Sequence, residues 1–339
     1  MLIDNLFTMM SRSSNTGEGG VMGIFKPLYY IFGECMEGLL WLFNDKYFIA
    51  LTVFTVITRL LMLPLNMKQQ KSMAKTARIQ PKIQKIQQKY NIREVTDPAE
   101  RQKLSQKQNE EMQALYAREG HNPMNMGCGP MLFQMVFLMG IIGIIYYPIQ
   151  YIIGIDISSQ ADAIAKAINF EGAYFQIELL QNFAEYKDSL VAQVPQLFTA
   201  DKVAEIEIYR DSLQLFGIDM TQIPHWKDGI IVIIPILCLV TSLATSLLST
   251  LIQKKNNPAA AQQGNQMLIM MLMMPFFSFY ISFQVSAAVG FYWIVSNIVA
   301  LLQQLFMAKF FPQKKNQARS MIETTIERRS REESVKKIK

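Results

Sequence analysis

Arg59 stands inside the apolar run "YFIALTVFTVITRLLMLPLN", from Tyr47 to Asn66. A run of about 20 residues, rising about 1.5 Å each as a helix, matches a hydrocarbon core of roughly 30 Å, so the guanidinium lies inside a bilayer. Arginine keeps its proton, and placing it at mid-membrane costs from about 2.5 kcal/mol to more than about 10. Such a group must be solvated. It can snorkel toward "NMKQQK", about seven residues or roughly 10 Å away. Alternatively it faces a water-filled cavity within the protein and meets a partner there.

Other residue types with chemical potential form no catalytic or metal constellation. Cys35, Cys128 and Cys238 are scattered and odd in number, which argues for neither a disulfide framework nor a metal quartet. His121 and His225 fall on opposite sides of the membrane in the topology below, so they share no metal. The methionine-rich stretch Met267 to Met274 lacks accompanying His or Cys and reads as an adaptable or lipid-facing surface rather than a copper path. No GxxxxGK loop is present, so no cofactor or nucleotide is expected and the protein is not read as an enzyme. Gln134 and the hydroxyls of Thr241, Ser242, Thr245, Ser246, Ser249 and Thr250 lie in apolar runs. Positions 242, 246 and 249 share a helical face, the pattern of helix packing in lipid.

The elements that must hold Arg59 follow from hydropathy. Half of the 339 residues are hydrophobic, and long apolar runs imply spans at 47–66, 130–153, 229–252, 267–285 and 287–311. The segment 67–120 carries 12 Lys/Arg against 6 Asp/Glu, whereas 154–228 carries 5 against 12. The first is therefore cytoplasmic and the second is an acidic extracytoplasmic loop. The loop 253–266 and the tail 312–339 are basic as well, which puts the C-terminus in the cytoplasm and the N-terminus outside. The net charge of +6 is read as topology, with a surface that could also meet ribosomal RNA or anionic lipid. Within the outer segment 1–46, residues 1–23 show no secretory signal, and "FKPLYYIFGECMEGLLWLFND" reads as a helix lying in the outer interface, a sixth span being the alternative.

The cytoplasmic segment 67–120 reads as a two-helix hairpin. Ile79, Ile83, Ile86 and Tyr90 make a helical stripe, with Pro81 expected to kink or interrupt it. Asp97 as N-cap, Pro98 at N1 and Glu100 at N3 start a second helix that runs to about Arg118. In the outer loop, "FQIELLQNFAEYKDSLVAQ" predicts short amphipathic helices over the outer mouth. If the loop closes that mouth, deleting Ile157 to Ala200 impairs function.

Three stretches together carry a resemblance: "ITRLLMLPLNMKQQKSMAKTARIQPKIQKIQQKYN", "NPMNMGCGPMLFQM" and "MMPFFSFYISFQVSAAVGFYWIVSNIVALLQQ". They resemble the YidC type of membrane protein insertase, shared with mitochondrial and chloroplast relatives, over roughly residues 24 to 311. The resemblance implies an all-α polytopic membrane protein of the cell inner (plasma) membrane. Five transmembrane helices would surround a polar groove, open to the cytoplasm and to lipid, with the hairpin and the interfacial helix attached. It implies that Arg59, Gln134, Trp293 and Asn297 line the groove and that Arg59 attracts the acidic outer segment of a nascent membrane protein. The implied partners are such client proteins and the lipid bilayer, with a ribosome near the basic tail and a secretion channel alongside. Val136 stands where the family usually has proline, and "SAAVG" where it has a Pro-Ala-Gly turn.

Two other classes remain open at this level. A small anionic-solute transporter would use Arg59 to bind a metabolite, although no internal repeat is visible. A membrane scaffold for cytoplasmic partners would leave Arg59 merely snorkelling.

Overall fold

The computed structural model describes residues 25–92, 95–119, 128–157, 175–256 and 265–312, with positions 160, 164 and 168 and short pieces between 318 and 330. Readings that fall on residues 1–24, on 120–127, on 257–264 and on most of the basic tail lie outside the described residues. The chain divides into two compact units. One comprises Met1–Leu60, Gln134–Ser242 and Pro275–Val299; the other comprises Leu61–Phe133, Leu243–Met274 and Ala300–Lys339.

The first unit begins with α1 (Lys26–Leu42), which buries Tyr29, Phe32, Gly33, Met36 and Leu40. These recur at three- and four-residue steps, so one face is apolar and packed. Glycines set how closely it packs. A β-carbon at Gly143 would overlap the Tyr29 ring, and one at Gly33 would overlap the Tyr151 carbonyl. The helix expected to lie in the outer interface thus has a tightly packed side inside the protein.

Next comes α2 (Tyr47–Leu61), followed by α3 (Leu63–Tyr90). The sequence suggests one straight helix from 47 to 66, but the helix breaks at Met62 with a bend of 41°. Pro64 explains the break: it has no N–H to donate, and its ring crowds the carbonyl four residues back. The ladder resumes where Asn66 N–H donates to the Met62 carbonyl at 3.0 Å. Arg59 therefore sits in the last turn of α2, just before the bend.

In the second unit α3 pairs with α4 (Pro98–Arg118). The stripe residues Ile79, Ile83 and Ile86 are 1%, 5% and 9% exposed. The helix runs through Pro81, so the expected interruption is absent. Asp97 caps α4 by accepting from Ala99 N–H at 3.1 Å, with Pro98 in the first turn. Lys82 pairs with Glu119 at 2.6 Å and Lys89 with Glu111 at 2.9 Å, which ties the two arms together at two heights.

α5 (Cys128–Tyr146) ends where Pro148 follows, and a one-turn helix α6 (Pro148–Tyr151) continues from it. The apolar run expected to extend to Ile153 is thus broken at Tyr147. The side-chain carbonyl of Gln176 accepts from the N–H groups of Ile149 at 3.1 Å and Gln150 at 3.3 Å, capping α6 from a distant part of the chain.

The acidic loop folds as α7 (Phe175–Gln181), α8 (Phe183–Gln193), α9 (Ala200–Ser212) and a hairpin of β1 (Gln214–Leu215) with β2 (Ile218–Asp219). The hairpin is a feature the sequence reading did not predict. Leu179, Leu180, Phe183, Leu190 and Ile206 are at most 1% exposed and join the same core as Tyr47, Phe54 and Ile144. The loop is a folded part of the unit rather than a flap lying over it.

A short 3-10 turn, Gly229–Val232, leads into α10 (Ile233–Asn256); α11 (Asn265–Ile281) and α12 (Ala287–Phe310) follow. Among the described residues, Gly229–Ile252 and Ala287–Phe310 are long and apolar enough to cross a membrane. The bent pair Tyr47–Leu61 with Leu63–Lys71 makes a third candidate if it is one span, and Met135–Tyr146 is a shorter apolar helix.

Candidate functional site

The register of α2 determines what Arg59 meets. Phe48, Leu51, Phe54, Thr55 and Thr58 are buried, and the Phe48 ring meets Phe291 of α12 with centroids 4.9 Å apart. Arg59, one turn beyond Thr55, is thereby brought to the same neighbour. Its Nη2 donates to Ser296 Oγ.

α12 is held in place at its start. The N–H of Ala287 donates to the Gln222 carbonyl and that of Ala288 to the Met220 carbonyl, both at 2.8 Å. The chain leading out of the β-hairpin thus satisfies donors that a helix N-terminus leaves without intrahelical partners. At Gly290 a β-carbon would come within 2.6 Å of Ile234 Cγ2, and Cys238 Sγ donates to the Gly290 carbonyl at 3.1 Å. This close approach of α10 and α12 sets the rotation of α12 and the side it turns to Arg59.

That side carries Tyr292 and Ser296, 7% and 5% exposed. They are one turn apart, the Tyr292 hydroxyl bonds to Ser296, and Tyr292 also interacts electrostatically with Arg59. The neighbouring threonines do not compete for the site. Thr55 donates to the Leu51 carbonyl at 2.7 Å and Thr58 to the Thr55 carbonyl at 2.9 Å, so both hydroxyl protons are used within α2.

The four residues expected at the site are placed differently. Arg59 is partly buried at the centre of this cluster. Asn297 donates from Nδ2 to Thr241 Oγ1 at 3.3 Å and so links α12 to α10. Trp293 is partly buried and packs on the apolar core. Gln134 lies in α5, and its side chain is outside the described residues. Tyr292 and Ser296 are the partners that the sequence reading missed. They lie in the same "YWIVSN" stretch, each one position before Trp293 and Asn297, the two residues that the resemblance implies at the groove.

Chemically, the cluster is a cation solvated by dipoles. Hydroxyls reduce the cost of burying a guanidinium without cancelling its charge. Among the described residues no carboxylate lies within ion-pair distance of Arg59, and the bond to Ser296 engages one edge of a planar fork that suits two carboxylate oxygens. The arrangement can attract an anion while holding it less tightly than a built-in ion pair would. No group of His, Cys, Asp and Glu suited to a metal occurs among the described residues.

The family described as 60Kd inner membrane protein matches residues 39–315. The membrane protein insertase YidC 1 of Listeria monocytogenes is 41% identical over 99 residues, which is 29% of this chain and 32% of that protein. The membrane protein insertase MisCA of Bacillus subtilis is 35% identical over 115 residues, 34% of this chain and 41% of its own length. The membrane protein insertase YidC of Oceanobacillus iheyensis is 38% identical over 114 residues, 33% of this chain and 42% of that protein. The matched segments thus span about a third to two fifths of these curated relatives.

Proposed function

The chain belongs to the 60Kd inner membrane protein family, and on that premise we propose that it is a membrane protein insertase of the bacterial cell membrane. Five spans surround a polar groove that opens to the cytoplasm and sideways to lipid. Client proteins pass a short hydrophilic outer segment through the groove, and their apolar helices leave sideways into the bilayer. The N-terminus lies outside and the C-terminus in the cytoplasm. The α3–α4 hairpin receives nascent chains, and the basic tail approaches the ribosome, with a secretion channel as a further partner.

The observation that carries the reading is Arg59 itself, a partly buried cation whose bonded partner among the described residues is the neutral Ser296. A polar segment crossing a dry bilayer loses the water around its charges and backbone groups. A wet groove shortens the dry path, and a carboxylate about 4 Å from Arg59 gains about 4 kcal/mol at an effective dielectric near 20, before desolvation. That is enough for a transient hold. Release follows as the client's apolar helix partitions into lipid, assisted by the membrane potential at about 2.3 kcal/mol per charge per 100 mV. No bond is made or broken, so catalysis means lowering a partition barrier.

The test is protease-protected insertion of a single-span protein with a short acidic outer tail into liposomes containing the purified chain. Insertion above empty liposomes that falls for Arg59→Ala supports the reading. Equal insertion by both proteins removes Arg59 from the mechanism, and none above empty liposomes rejects the insertase.

A further inference from the structure

The tip of the β-hairpin is built in an unusual way. Phe216 and Gly217 join β1 to β2 and have φ of +53° and +78°. Two central residues with positive φ are what a tight I′ turn requires, and Asn-Gly or Asp-Gly meets that need at least cost. Phenylalanine is a poor choice there, because its β-carbon crowds the backbone in the left-handed region. The side chain gains nothing from the fold in return: Phe216 is 92% exposed, while Ile218 on the adjoining strand is 8% exposed. A strained and fully exposed aromatic therefore calls for a contact outside the protein.

The position of the tip indicates what that contact is. The hairpin closes with Met220 N–H donating to the Leu213 carbonyl at 3.1 Å, and the carbonyls of Met220 and Gln222 accept from the first amides of α12. The base of the hairpin is thus bonded to the very end of a helix long and apolar enough to cross a membrane. Four positions separate Phe216 from Met220, so the tip lies within about 14 Å of that end along the chain. The chain that leaves the hairpin toward the next apolar span also exposes apolar side chains. Trp226 is 68% exposed and stacks on Phe283 with centroids 4.5 Å apart, and Ile230, at the start of the next apolar span, is 67% exposed. Tryptophan and other aromatics concentrate where a span meets the headgroups.

We propose that the Phe216–Gly217 tip is a membrane-interface anchor, inserting the Phe216 ring among the lipids of the leaflet at the start of α12. The lipid contact offsets the turn strain and holds the folded loop against the membrane surface. The proposal rests on α10 and α12 being membrane spans and not on any client passing the Arg59 cluster, so it survives a failure of the insertion assay.

The test uses the full chain in lipid nanodiscs, with a photoreactive benzoyl-phenylalanine placed at position 216 and, as a control, at the exposed Ala184 of α8. Lipid adducts at 216 well above those at 184 are expected. Adducts only to protein, or lipid adducts no greater than at the control, would overturn the anchor in favour of a protein partner or none. A second variant, Phe216→Ala, keeps the β-carbon and its strain, removes only the ring, and is measured by hydrogen exchange. If lipid holds the tip, the amides of residues 215–218 exchange faster in Phe216→Ala, by about tenfold for about 1.4 kcal/mol of lost contact. Unchanged or slower exchange would also overturn it.

Discussion

At the scale of single residues, the Arg59 cluster separates the roles of charge and dipole. Arg59→Lys keeps the charge but replaces a planar fork with a compact ammonium. Under the insertase reading it should retain part of the insertion that Arg59→Ala loses. Ser296→Ala removes the bonded hydroxyl and leaves the cation less well solvated. A hydrogen bond to a charged group contributes about 1.5–3 kcal/mol, so Ser296→Ala should lower the thermal midpoint in detergent while clients are still inserted. A midpoint unchanged by Ser296→Ala would show that Arg59 finds its solvation elsewhere. Asn297→Ala, by contrast, cuts the link from α12 to Thr241 and should act through helix packing. Arg59 was legible in the sequence because a charge in an apolar run is visible without structure. Its partners were not, because Ser296 and Tyr292 differ from Asn297 and Trp293 only by which side of α12 faces α2.

At the scale of elements, local chemistry decides most boundaries and distant chemistry a few. Asp97, Pro98 and Glu100 start α4 by contacts within four residues, which is why that start was readable. The cap of α6 comes from Gln176, on another helix 26 or more residues away. Gln176→Ala leaves two amides without this acceptor, one of them buried, and should cost about 1–3 kcal/mol, read as faster exchange at Ile149 and Gln150. In the hairpin, Glu111 is held below the usual carboxylate range by the hydrogen bond from Lys89 first and that from Tyr90 second. Lys89 is raised, chiefly by its bond to Glu111. The carboxylate's contribution is therefore present above its ordinary range and lost as pH falls through its lowered value. The lysine's contribution is present below its ordinary range and lost as pH rises through its raised one. Spin labels on the two arms should report their closest approach near neutral pH and a slight opening as the pH falls below the ordinary carboxylate range. The change is small because the pair is open to solvent, with the Lys89 side chain 59% exposed, and Lys89→Gln should abolish it.

At the scale of the molecule, the acidic loop shares the core of its unit. Leu180 is fully buried, and Leu180→Ala should cost about 2–5 kcal/mol of stability, measured as a lower midpoint of thermal unfolding. The same packing changes the meaning of deleting Ile157 to Ala200. That segment includes Leu179, Leu180, Phe183 and Leu190 of the core, so its loss should destabilise the unit before it affects any client. A deletion protein with a native midpoint would refute this account. The sequence by itself determined the apolar runs, the loop-charge asymmetry, the buried arginine, the hairpin stripe and its cap, and the resemblance to an insertase family. All of these depend on residue type and on spacing within one element, where the helical period and the cost of charge in lipid act directly. Only the tertiary structure decided the pairing of Arg59 with Ser296 and the remote cap by Gln176. Each of these depends on how one element is rotated and placed against another, through glycine contacts such as Gly290 on Ile234 and backbone bonds such as Ala288 to Met220. Those contacts join residues far apart in the chain, and local periodicity carries no information about them.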